Sequence, residues 1–98
     1  MGIRNYKNQG SRDIALGVVS KLTERILPLK LHQVARIKLA QLDATENILE
    51  LRNMRSLHLE KLKGDRRGFW SIRINKQYRI IFRIEGSHIC DVGIEDYH

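Results

Sequence analysis

The sequence predicts an α+β fold: an N-terminal helical hairpin packed on one face of a twisted antiparallel β-sheet. Two observations carry this expectation. Apolar residues recur at helical spacing through the first half of the chain and at alternate positions from Leu57 onward. A chain of 98 residues, 42% hydrophobic and 30% charged, can also build one core but not two. Residues 1–98 are therefore expected to form a single domain, with the helical hairpin over about 11–54, the sheet over about 57–95 and a short end segment at 96–98.

Ala15, Val18, Val19, Leu22 and Ile26 fall on one face of a first helix. Ser11 or Asp13 is the expected cap, and Pro28 marks the break that follows. Leu31, Val34, Ala35, Leu39 and Leu42 repeat the pattern, with Lys30, Arg36, Lys38 and Gln41 on the other side. Asp43-Ala-Thr-Glu46 resembles a capping arrangement for a short further turn through Leu51. Strands are expected over residues 57–62, 68–74, 78–84 and 88–94, joined by short turn-like links. One sheet face carries Trp70, Ile72, Ile74, Tyr78, Ile80, Phe82, Ile84, Cys90, Val92 and Ile94, and the helices should cover it. The other carries Ser71, Arg73, Arg79, Ile81, Arg83 and Asp91, so an open cationic surface is expected opposite the core.

Composition narrows the function classes. Eighteen Lys and Arg against eleven Asp and Glu give a net charge of +7, a bias toward polyanions and above all nucleic acid. The basic residues concentrate at Lys61, Lys63, Arg66, Arg67, Arg73, Lys76, Arg79 and Arg83, with Asp65 the acid among them. Strand spacing rather than one basic amphipathic helix argues against a membrane surface. The single cysteine excludes an intramolecular disulfide and a Cys-based zinc site, which favours a reducing, cytoplasmic compartment. No apolar run approaches a membrane span, and the N-terminal residues do not read as a secretory signal. Gly-rich phosphate loops and nucleophile elbows are missing from the sequence, and no metal or cofactor is expected.

Asp96-Tyr97-His98 places an acid, a phenol and an imidazole directly after the last strand. RNA cleavage without metal requires a proton to leave the ribose 2′-OH, charge to be offset at phosphorus, and a proton to reach the departing 5′-oxygen. His98 is suited to proton transfer, Lys63 or Arg79 to charge stabilisation, and Asp96 to orienting the imidazole. Arg66, Arg67, Arg73, Lys76 and Arg83 are the candidate RNA-binding cations, since guanidinium donors match phosphate oxygens. The same residues also suit a frayed tail and a solvated strand face. His32 reads as a surface residue, and His88 with Cys90 as an unlikely metal pair beside a buried thiol.

The run from Leu62 through Phe82, which includes Lys63-Gly64-Asp65-Arg66-Arg67-Gly68-Phe69-Trp70 and Gln77-Tyr78-Arg79, resembles the HigB (plasmid-maintenance killer) branch of the RelE/ParE toxin superfamily. Glu95-Asp96-Tyr97-His98, the helical stretch Arg36–Thr45 and the opening Ile3–Gly10 extend the resemblance over nearly the whole chain. It implies a RelE-like fold and the toxin of a type II toxin–antitoxin system, an endoribonuclease that cuts messenger RNA in the ribosomal A site without metal. Its implied partners are a HigA-like antitoxin, the ribosome and mRNA. Carried over by position, Lys63 matches a catalytic lysine, Arg79 a phosphate-stabilising arginine, and Asp96, Tyr97 and His98 the active C-terminal segment. Some members place a histidine three residues before the lysine, where this chain has Glu60, as other members do. His58 is expected on the same strand face as Glu60. The resemblance also implies that the first strand lies beside the returning segment 96–98. A noncatalytic reading stands beside this one: a basic nucleic-acid- or ribosome-binding module, or a gyrase-poisoning toxin on the same fold.

Overall fold

The first helical stretch is not one helix. In the computed structural model, which describes residues 1–97, α1 (Gln9–Ala15) stops at Gly17, whose φ of +81° continues no helix. The chain restarts as α2 (Lys21–Ile26), where Ser20 and Thr23 form a reciprocal capping box. Asn8, rather than Ser11 or Asp13, caps α1 by accepting from the Ser11 amide at 2.9 Å. The break leaves Leu16, Val18, Val19 and Leu22 exposed, against the expectation of a buried helical face, while Ile14 and Leu27 enter the core instead. After Pro28 and a 3₁₀ turn, α3 (His32–Ala44) buries Ala35, Leu39 and Leu42 as its periodicity predicts. His32 is buried, contrary to its surface reading, with its Nε2 2.7 Å from the Leu27 carbonyl. The short helix α4 (Ile48–Asn53) is capped by Asn47, and the Asp43 carboxylate accepts from the Ile3 amide instead.

Among the described residues the sheet has five strands in the order β1-β5-β4-β3-β2. They are β1 (Gly2–Ile3), β2 (Glu60–Lys61), β3 (Phe69–Arg73), β4 (Tyr78–Glu85) and β5 (His88–Asp96). β1, which periodicity misses, pairs parallel with β5, and the other pairs are antiparallel. The strand expected over 57–62 shrinks to Glu60–Lys61 because Arg55–Leu57 wind into a 3₁₀ turn. It pairs with β3 at the far edge from β5, so the two are not the sheet neighbours that the resemblance implied.

The core packs the helices on Ile72, Ile74, Ile80, Phe82, Val92 and Ile94, much as alternation predicts. In β5 the phase slips. A bulge between Ile81 and Arg83 of β4 is accompanied by a left-handed Asp91 (φ 53°), which puts Ile89 opposite Ile84 and Cys90 opposite Arg83. Ile89 therefore joins the core, and Cys90 is buried on the far face rather than under the helices. Residues 4–7 stabilise the bulge. The Asn5 side chain donates to the Asp91 carboxylate at 2.8 Å and accepts from the Asp91 amide at 3.0 Å.

Nor is the far face an open cationic surface. Ser71, Ile81, Cys90 and Gly93 are buried there, and the aliphatic stem of Lys7 runs over Gly93. Among the described residues, no helix is long and apolar enough to cross a membrane.

Candidate active site

Antiparallel register sets which side chains share the far face. Glu60 stands opposite Ser71, Ser71 opposite Ile81, and Arg79 between Arg73 and Glu95. A cleft of about 460 Å³ opens at the β2 edge of this face, lined by Glu60, Lys61, Leu62, Lys63, Arg66 and Tyr97. An adjoining depression is lined by Lys61, Leu62, Lys63, Gly64 and Arg67. Leu62, 5% exposed, is the apolar residue common to the lining of both.

Arg79 lies against the cleft and is only 4% exposed. Its Nε donates to the Ser71 hydroxyl at 2.7 Å, and its Nη2 to the His58 carbonyl at 2.6 Å. The Tyr97 ring covers the guanidinium, 5.5 Å from centroid to Cζ, and a Glu60 carboxylate oxygen is 4.0 Å from Nη2. Burial lowers the Arg79 pKa, with Glu60 and Tyr97 opposing and Arg73 adding to the effect. The group stays cationic, since arginine does not deprotonate in proteins.

Lys63 is exposed at the start of the 3₁₀ turn Gly64–Arg66, and its side chain meets no acceptor among the described residues. Arg66 is committed elsewhere. Its Nη2 donates to Glu95 at 2.5 Å, and Lys7 Nζ reaches the same oxygen at 3.2 Å. Those hydrogen bonds hold the Glu95 carboxyl below the usual glutamate range, Arg66 contributing most.

The structure thus brings Lys63, Glu60, Arg66 and Tyr97 together around one cleft, with Arg79 held against Glu60 and Tyr97. Asp96 sits opposite Tyr78 and accepts from Gln77 Nε2 at 3.0 Å, outside the residues that line the cleft. His98 lies outside the described residues. Arg67 borders the adjoining depression. Arg73 and Lys76 are at the β3–β4 turn, where Arg73 Nε is buried without a hydrogen-bond partner among the described residues. Arg83 is at the opposite end of β4, paired with Asp91 at 2.7 Å and Glu85 at 3.1 Å. Among the described residues, no three His, Cys, Asp or Glu side chains are grouped to hold a metal.

His58 does not share a strand face with Glu60. It ends the 3₁₀ turn in the left-handed region (φ 48°, ψ 53°), and its carbonyl, not its ring, faces Arg79. Neither Ser71 nor this carbonyl was among the expected site groups. A lone serine between Trp70 and Ile72 on a strand was the available signal for the first. Nothing in the residue types marks the second.

Comparison with known proteins agrees with this architecture. A family model described as the RelE-like toxin of type II toxin–antitoxin system HigB matches residues 20–98. Endoribonuclease HigB of Proteus vulgaris is 30% identical, the match covering 98% of this chain and 99% of that protein. Toxin HigB-1 of Vibrio cholerae is 39% identical over 60% of this chain and 62% of its own length. A solved structure, the YoeB/ParE toxin from Agrobacterium tumefaciens, superposes over 100% of both chains with a TM-score of 0.56 at 17% identity, a likeness of fold. With the family model matching residues 20–98 and a 30% identical relative covered over nearly its full length, the chain belongs to the HigB-like family of RelE-like toxins of type II toxin–antitoxin systems.

Proposed function

We propose that residues 1–98 form one toxin domain that cuts messenger RNA in the ribosomal A site, and that the Glu60–Lys63–Arg79–Tyr97 cleft is its active site. The observation that carries this is the convergence on one cleft of an exposed lysine, an exposed carboxylate and an immobilised arginine stacked under a phenol. Near-full-length similarity to a protein named endoribonuclease HigB supports the reaction class.

The chemistry follows from the groups. Glu60 accepts the ribose 2′-OH proton, and the freed 2′-oxygen attacks phosphorus. Lys63 and Arg79 offset charge on the phosphorane oxygens, the role a metal plays in other nucleases. The P–O5′ bond breaks as the 5′-oxygen takes a proton from His98, the residue of the end segment suited to proton transfer. Arg67 beside the cleft, Arg73 and Lys76 at the β3–β4 turn, and the remaining donors of Arg66 and Arg83 offer separate cationic contacts for RNA phosphates. The cognate, HigA-like antitoxin and the ribosome are the partners, in the cytoplasm.

Lys63→Ala is the direct test, because the side chain makes no contact that the fold requires. Mapping breaks in mRNA on translating ribosomes should show cleavage about 10²–10³-fold slower with an unchanged unfolding temperature. Wild-type products should carry a cyclic or 3′-phosphate. A 5′-phosphate with a free 3′-OH would contradict the mechanism, and altered DNA supercoiling without mRNA breaks would favour gyrase poisoning.

A further inference from the structure

We infer that Ser71 is a positioning residue which, together with the His58 carbonyl, sets the orientation of the Arg79 guanidinium toward an RNA phosphate; the inference rests on the ribonuclease reading above. Ser71 is 0% exposed in the middle of β3, flanked across the sheet by Glu60 on β2 and Ile81 on β4. An aliphatic residue would suit that buried strand position better, because a buried hydroxyl is tolerated only when hydrogen-bonded. The hydroxyl accepts from Arg79 Nε at 2.7 Å, while Nη2 reaches the His58 carbonyl at 2.6 Å and the Ser71 carbonyl at 3.4 Å.

A guanidinium carries its five N–H donors in one plane. Anchoring Nε and Nη2 defines that plane, and the Tyr97 ring closes one side of it. Nη1 has no acceptor among the described residues, which leaves its donors for a phosphate oxygen. The left-handed turn at His58 presents the second anchor, so a strained residue and a buried serine serve the same guanidinium. Removing the Ser71 hydroxyl leaves Nε a buried donor without a partner, and the guanidinium must reorient or admit water. Preorganised charge of this kind loses its effect on a transition state when it must reorganise.

The test is a double-mutant cycle of Ser71→Ala and Arg79→Ala, with Ser71→Thr as the variant that keeps the hydroxyl. Single-turnover cleavage on mRNA-programmed ribosomes yields the maximal rate and the half-saturating ribosome concentration, each normalised to the folded fraction. Ser71→Ala should slow the maximal rate about ten- to a hundredfold, with half-saturation within about twofold. Ser71→Thr should restore most of the rate, and the double variant should be no slower than Arg79→Ala. In ¹⁵N spectra the Arg79 Nε–H should exchange slowly in the wild type and rapidly in Ser71→Ala, a readout independent of cleavage. Unchanged exchange, a wild-type rate for Ser71→Ala, or effects that multiply with Arg79→Ala would overturn the positioning role. Wild-type cleavage by Arg79→Ala would instead overturn the ribonuclease reading of the cleft, leaving Ser71 nothing to position.

Discussion

His58 shows how much a single backbone conformation decides in this molecule. Alternation counted from Leu57 puts its imidazole on the strand face of Glu60. The structure ends a 3₁₀ turn there instead, because Leu57 is drawn into the core (1% exposed) and the chain must reverse before β2 can start. A left-handed non-glycine residue is the result, and its carbonyl serves Arg79 while its ring is exposed. Glycine adopts that conformation without strain and keeps the carbonyl. His58→Gly should therefore leave stability within about 1 kcal/mol of wild type, strain relief offsetting the added freedom of the unfolded chain. Cleavage should stay within about threefold, whereas loss of a proton-transfer group costs about 10²–10⁴-fold. Thermal unfolding and mRNA cleavage rates check both halves.

The helices teach a different lesson. Ala15, Val18, Val19, Leu22 and Ile26 fit one helical face so well that the break between them is easy to pass over. The stop signals were nevertheless in the chain: Gly17 for a left-handed exit, and Ser20 with Thr23 for a new capping box. In a continuous helix Gly10 and Ile26 would be about 24 Å apart, at 1.5 Å per residue. The break folds α2 back until a Cβ on Gly10 would lie 1.8 Å from Ile26 Cδ1. Because Cδ1 ends a flexible side chain and alanine gains about 1 kcal/mol of helix propensity, Gly10→Ala should destabilise by no more than about 1 kcal/mol. Ile26→Val, which removes the clashing methyl, should recover part of that loss in urea titrations of the double variant. The β5 bulge is the sheet's counterpart: one extra residue moves Ile89 into the core and Cys90 out of it, and Asn5 holds it by pairing with Asp91.

At the scale of the whole molecule, Glu95 ties three distant segments together: Lys7 from the N-terminal stretch, Arg66 from the loop before β3, and its own strand. Its side chain is 22% exposed, enough burial for the pairing to matter. Because the folded carboxyl titrates below its unfolded counterpart, the stabilisation is complete above the unfolded value, near pH 4.5, and is lost as pH falls through the folded value. Glu95→Gln should therefore cost about 1–2 kcal/mol at pH 7. That deficit should shrink below pH 4.5, and unfolding curves of both proteins across pH 3–7 measure it. Chain-local chemistry determined the fold class, the helix α3, the alternating core of β3 and β4, and the residue types of the cleft, because periodicity and charge are properties of neighbours in sequence. Which cations remain available was decided elsewhere. Arg66 and Arg83 meet carboxylates on β5, Arg79 is buried on Ser71, and Tyr97 lines the same cleft as Lys63. Register, a bulge and two left-handed residues set those meetings, and their energies depend on partners 8 to 29 residues away on other strands, beyond the reach of local pattern.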